Sequence, residues 1–128
     1  MAAVLFTRDG IEALDHCIRE TRRFLYGLQA EKRKIGSSGD RHQDEAFQIF
    51  LSEERTWKEQ LDHFQSLRDR AKVVELEEQS DSVQIGNGVV IQYEDDGSTE
   101  ELILDGYIVG NLFKDHVSYD GPLGQALL

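Results

Sequence analysis

Two apolar stripes with the same alternating spacing, separated by a short polar break, constrain this chain more than any other feature of its sequence. The first runs Ile11, Leu14, Ile18, Leu25, Leu28 and Ile35, with Thr21 and Lys32 in the intervening slots. The second places Phe50, Trp57, Leu61, Phe64, Ala71 and Val74 at the same alternation of three and four, with Glu54 and Arg68 as its polar slots. That alternation returns side chains to one face of an α-helix, so each run reads as a helix with one sticky stripe, a heptad seam with polar interruptions. The break, KIGSSGDRHQDEAF at residues 34–47, joins two helices of similar length. The simplest way to bury both stripes is an antiparallel coiled-coil hairpin, about 28 residues per arm and on the order of 40 Å long.

Local signals agree with that outline. Thr7 suits the N-cap of the first helix, its hydroxyl taking an orphan backbone N–H, and Asp9 suits the positive end of the helix dipole. GSSG at 36–39 stops this helix, and Asp40 or Asp44 can cap the next. After about residue 76 the period changes from helical to strand-like. The acidic connector ELEEQSDS leads to the strand candidates SVQIG and GVVIQY, then to the EDDGST turn, the ELILDGYIVG run and the short HVSY. Pro122 pre-sets the first turn of a short terminal helix, PLGQALL. The chain therefore divides into a finger over 1–76, with an acidic tip at 36–47, and a β-rich domain over 77–128. The fold class is α+β.

Charge separates the same two regions. Residues 1–75 carry 13 basic and 14 acidic groups, and residues 76–128 carry one basic and 11 acidic, giving a net charge of -11. So acidic a chain has no broad basic surface with which to neutralise nucleic-acid phosphates, and strong direct nucleic-acid binding is not expected. The only cysteine, Cys17, cannot form an internal disulfide, which suits a reducing, cytoplasmic compartment. No stretch approaches the 18 or so apolar residues of a membrane span, so no membrane partner is expected.

Most candidate chemistry gives way to a simpler reading. Gly86 and Gly88 in IGNGVV lack the third glycine and the following helix of a phosphate loop, and read as a β-turn. His16, His42, His63 and His116 lack zinc-ligand spacing, and none stands near a serine or cysteine in a nucleophile context. Phe47, Phe50, Trp57 and Phe64 have seam spacing rather than that of a base-stacking platform. The acids of EDDG lack the full ligand spacing of a calcium loop and read as a solvated hairpin turn. At the tip, Asp40, Asp44 and Glu45 form a compact set of hard oxygen ligands; taken alone they are better explained as capping residues on a solvated turn.

The order of several short motifs resembles the Gre family of bacterial transcript-cleavage factors. FTRDGIEAL at 6–14 is similar to the family's Leu/Met-Thr-x-x-Gly-x-x-x-Leu helix start, and GDRHQDEAF at 39–47 to its tip motif Gly-Asp-x-x-Glu-Asn-Ala-Glu-Tyr. VQIGNGVVIQY resembles the first strands of its C-terminal domain, and VSYDGPLGQALL the Ile-Ser-x-x-Ser-Pro-Leu-Gly-x-Ala-Leu segment. The resemblance implies a factor that is not itself an enzyme. Its finger would enter the secondary channel of RNA polymerase while an FKBP-like domain, here without the family's usual last strands, docks at the rim. It further implies that Asp40, Asp44 and Glu45 serve cleavage of backtracked transcript. Asp40 and Asp44 would approach a Mg2+ shared with the polymerase only when docked, and the chain alone would need no cofactor. Ser118, Pro122 and Leu123 would contact the polymerase. Gln43 stands where the family motif has glutamate, with Phe47 setting the register against its tyrosine, which leaves a channel plug without cleavage as the alternative. An uncovered sheet edge would invite a homodimer.

Overall fold

The computed structural model describes residues 2–37, 44–75, 81–109 and 114–128, with the backbone alone described at 35–37 and 44–46. Asp40 and Gln43 lie outside the described residues. The elements in order are β1 (Val4–Phe6), α1 (Arg8–Ser37), α2 (Asp44–Asp69), β2 (Ala71–Val73), β3 (Gly88–Gln92), β4 (Thr99–Asp105), β5 (His116–Ser118) and α3 (Pro122–Leu127). They form two compact units, Asp15–Asp69 and the combination of Met1–Leu14 with Arg70–Leu128. The first residues thus group with the C-terminal region, whereas the sequence reading placed all of 1–76 in the finger.

Along α1 the expected stripe is the buried one: Ile11, Leu14, Ile18, Thr21, Leu25 and Leu28 are all buried. Within the helical unit, Asp15 meets Arg68 at 2.8 Å, Phe24 meets Trp57 at 4.7 Å between ring centroids, and Lys32 meets Glu54 at 3.2 Å. Rising numbers on α1 against falling numbers on α2 make the pair antiparallel. The second stripe needs a correction at its end, because α2 stops at Asp69 and Ala71 lies in β2, with Val74 beyond it. Leu67, not Arg68, is the buried position of the last turn. The chain leaves the helix where Arg70 and Val74 are drawn into backbone hydrogen bonds with β1, Val4 N–H to Arg70 O at 2.9 Å and Val74 N–H to Phe6 O at 2.8 Å.

The other unit contains two small sheets. β1 runs parallel to β2, and β3-β4-β5 is a three-stranded sheet with β3 antiparallel and β5 parallel to β4. The β3–β4 turn closes through Tyr93 N–H to Ser98 O at 2.8 Å, with Gly97 at φ 72, a conformation that glycine adopts without a Cβ clash. SVQIG is not a strand: Asn87 N–H bonds Gln84 O at 3.0 Å and Gly86 sits at φ 100, so these residues make a turn ahead of β3. That is the plain β-turn read from the Gly86/Gly88 pair. Phe6, Leu14 and Leu104 are the fully buried large side chains, and Ile85, Leu102 and Val109 are buried with them in this unit.

Two glycines test this packing in opposite directions. A Cβ at Gly106 would lie 2.6 Å from Phe6 Cα and 2.7 Å from Leu5 O, both backbone atoms, whereas a Cβ at Gly27 meets nothing within 4 Å. In urea denaturation, Gly106→Ala is expected to lose about 3 kcal/mol or more, because strand backbone must separate. Gly27→Ala, inside α1, is expected to gain about 0.5–1 kcal/mol from lower unfolded-state entropy.

Candidate functional site

The tip acids meet the structure only in part. α1 ends at Ser37 and α2 begins at Asp44, so Asp44 and Glu45 are the first two residues of a helix that starts at the far end of the antiparallel pair. Carboxylates there are favoured by the helix dipole. Among the described residues no group of three or more His, Cys, Asp or Glu could hold a metal ion.

Below the tip, the polar slots of the two stripes find each other. Glu54 is 7% exposed and accepts from Lys32 Nζ at 3.2 Å, with Lys58 Nζ at 3.5 Å. The hydrogen bond from Lys32 is the main cause that holds the Glu54 carboxyl below its usual range, and partial desolvation opposes it. Gln29, Arg33 and Phe47 line the same cleft with these three residues. Neither polar slot announces its partner in sequence, since 22 residues separate them. Further along, Trp57 separates two apolar grooves, one lined by Phe24, Gly27 and Leu28 and the other by Cys17, Gln60 and Phe64. Burial pushes the Cys17 thiol up, which keeps it protonated and unreactive.

The other unit holds a buried polar cluster with no local signal in sequence. Thr7 caps α1 as expected, its Oγ1 accepting Gly10 N–H at 3.1 Å, and the same hydroxyl donates to Asp105 Oδ1 at 2.9 Å. Asp105 Oδ1 also accepts Gly106 N–H at 2.7 Å, and His116 Nδ1 meets its Oδ2 at 2.7 Å. The carboxylate, 4% exposed, therefore has both oxygens satisfied. With its hydroxyl committed as cap and donor, Thr7 has no nucleophilic role; the cluster holds the start of α1 to β4 and β5.

Ser118, Pro122 and Leu123 are brought together at the end of the chain. Ser118 closes β5 and hydrogen-bonds Asp120, Gly121 N–H bonds Ser118 O at 3.3 Å, and Pro122 opens α3. Leu123 is 42% exposed. Gly124 seats α3 on β5, since a Cβ there would fall 2.0 Å from Ser118 O. The EDDG acids close a hairpin turn: Ser98 donates its N–H and hydroxyl to Asp96 Oδ1 at 2.9 and 2.7 Å, which holds that carboxyl below its usual range.

Glu54 generates a pH prediction. A carboxyl whose folded value is lowered contributes stability that is fully present above its unfolded value of about 4.3 and is lost as pH falls through the folded value. Glu54→Gln is expected to cost on the order of 1 kcal/mol at pH 7 and progressively less as pH falls below about 4.3, read by urea denaturation across that range.

No protein-family profile matches the chain. GreA, a transcription elongation factor of Thermotoga maritima, is 26% identical over 129 aligned positions, covering 100% of this chain and 83% of its own length. GreA of Chloroflexus aggregans is 30% identical, covering 95% of this chain and 79% of its own. Among solved structures, GreA factor homolog 1 (Gfh1) of Thermus thermophilus superposes with a TM-score of 0.56 at 20% identity, covering 98% of this chain and 82% of its own. Thermus aquaticus Gfh1 gives 0.57 at 20% identity. The two superpositions establish a shared fold.

Proposed function

Since this chain belongs to the Gre family of transcription elongation factors, we propose that it binds bacterial RNA polymerase through the secondary channel and promotes cleavage of backtracked transcript. The observation that supports this reading most is the antiparallel pair α1 and α2, which the sequence joins through the acidic segment between Ser37 and Asp44. At about 1.5 Å per residue, the 30 residues of α1 and 26 of α2 extend roughly 45 and 39 Å, a suitable reach for delivering a carboxylate down a narrow pore. Coiled-coil packing of the two stripes, with Ile18, Leu25 and Leu28 buried on α1 and Leu67 on α2, would make such an arm stiff enough to place its tip.

The chemistry follows from the donor set. Asp40 and Asp44 offer hard oxygen ligands suited to Mg2+, but fewer than its octahedral shell needs, so the remainder would come from the polymerase. Asp40 and Asp44 would help hold the second of two ions at the polymerase centre, where a two-metal pair would supply an activated water and stabilise the leaving oxygen. Asp40 is assigned the role nearest that ion, with Asp44 and Glu45 in support, and the polymerase remains the enzyme. The sheet unit, in the FKBP-like arrangement of the family, would dock at the channel rim through Ser118, Pro122 and Leu123, with Leu123 supplying apolar surface. The protein would act in the cytoplasm, where the polymerase is. A second reading, a plug that occupies the channel without cleavage, is favoured by Gln43, because an amide ligates Mg2+ less strongly than a carboxylate.

Added to stalled, backtracked elongation complexes of a cognate polymerase, the wild-type chain is expected to shorten the RNA from its 3′ end. Asp40→Asn is expected to reduce that rate by about 100-fold, the scale of losing one transition-state charge contact. If the RNA stays intact while synthesis slows, the plug reading replaces the cleavage reading.

A further inference from the structure

Trp57 stands between two contiguous apolar grooves of about 710 and 440 Å³ along one flank of the α1–α2 pair, both within the Asp15–Asp69 unit. From Cys17 to Glu31 that flank runs roughly 21 Å at about 1.5 Å per residue, or about four helical turns. Phe24 keeps 47% of its surface exposed there even while it meets the Trp57 ring. Two further features of the flank serve nothing inside the chain. Gly27 lowers the stability of α1 relative to alanine, yet a Cβ there meets nothing within 4 Å, so no internal contact demands its absence. Thr21, 5% exposed, lines both grooves and makes no hydrogen bond among the described residues, so its hydroxyl opens onto them. An apolar floor with an open notch and one unanswered polar atom is the make-up of a binding groove.

Charge sets the sign and direction of the occupant. On the rim Glu20 is paired with Arg23 at 3.0 Å, and on α2 Glu54 is paired with Lys32 and Lys58. Glu31, one turn beyond Gly27, and Glu53, one turn before Trp57, are exposed and have no ion-pair partner among the described residues. The antiparallel pairing brings them to the same end of the flank, since the next residues along, Lys32 and Glu54, meet at 3.2 Å. At the other end, beside His16, Gln60 and Phe64, the paired Glu20 is the only acid lining the groove among the described residues. Two open carboxylates at one end favour a helix that brings its basic residues and its positive N-terminus there. We propose that this flank is a docking groove for an amphipathic helix of another protein. Its apolar anchors, alternating four and three residues apart, fill the grooves on either side of Trp57, and lysine or arginine in its first turn lies beside Glu31 and Glu53. Gly27 lets the helix backbone come close, and a serine or similar side chain on the incoming face answers Thr21. This assignment does not depend on the polymerase reading.

The test uses the full chain and the capped peptide Lys-Lys-Ala-Leu-Ala-Gln-Ser-Leu-Gln-Ala-Leu-Ala-Gln-Ala-Leu-Gln-Ala-Gln. The peptide lacks tryptophan, so the emission of Trp57, the only tryptophan of the chain, reports on the groove directly. Binding is expected to shift that emission to the blue, with affinity falling as salt rises. A control peptide with glutamate in place of both lysines forms the better helix, because acids suit a helix N-terminus, yet it is expected to bind about fivefold more weakly. Gly27→Leu fills the notch without meeting another part of the chain, so it is expected to keep the helical circular dichroism and lose about tenfold or more in affinity. Glu31→Lys combined with Glu53→Lys breaks no ion pair among the described residues and is expected to reverse the preference between the two peptides. No blue shift, equal binding of both peptides by the wild-type chain, or affinity that survives Gly27→Leu overturns the assignment. A blue shift that appears with rising protein concentration alone also overturns it, by giving the groove to a second copy.

Discussion

The hydrogen bond from Thr7 to Asp105 is the interaction on which the rest of this structure depends. A helix of 30 residues begins at Arg8, and its cap residue is itself tied at 2.9 Å to a carboxylate at the end of β4. The same carboxylate takes Gly106 N–H and His116 Nδ1, so one buried side chain joins the helix start, the strand end and β5. Leu5 N–H reaches Tyr119 OH at 3.0 Å, and Tyr107 N–H reaches Leu5 O at 2.6 Å, which pins β1 alongside. Removing Asp105 would orphan several of these buried groups together, and the desolvation cost of each would fall on the same few residues.

With its start held in this way, α1 is free to serve as one side of a long antiparallel pair. Among the described residues, ion pairs join the two helices at Arg68 with Asp15 and at Lys32 with Glu54. Arg68 with Asp15 is half-exposed, and such pairs contribute little. Lys32 with Glu54 is different, because Glu54 is buried, and a lone charge there would be costly. That pairing also fixes register: a shift of α2 by one turn would leave Glu54 facing apolar stripe residues instead of Lys32. Register matters for the proposed function, since it decides where the Asp44 end of α2 falls relative to the Ser37 end of α1.

Much of this was legible in sequence wherever period or a local rule carries information. The α1 stripe from Ile11 to Leu28, the Thr7 cap, the hairpin turn after Tyr93, the strand at HVS and the helix at Pro122 all follow from patterns a few residues long. What could not be read depends on partners far away in the chain. β1 and β2 are three residues each, too short for a period, and exist because they meet across 67 positions. Ala71 and Val74 continued the helical spacing by coincidence, and tertiary pairing overrode it. Asp105 and His116 carried no motif, and only the fold puts them against Thr7. The tip acids were visible in sequence as a cluster, and the role proposed for them rests on the family resemblance.

The central claim is that the tip of this chain reaches the catalytic metal of the polymerase. Replacing Mg2+ by Fe2+ in the polymerase active centre and generating hydroxyl radicals there cuts protein backbone only within a short radius of the ion. Chain end-labelled at either terminus and bound to such a complex should be cut within residues 36–47 and nowhere along α1 before Lys32 or in β3–β5. Cuts centred in the sheet unit, or a bound chain left uncut, would contradict the account.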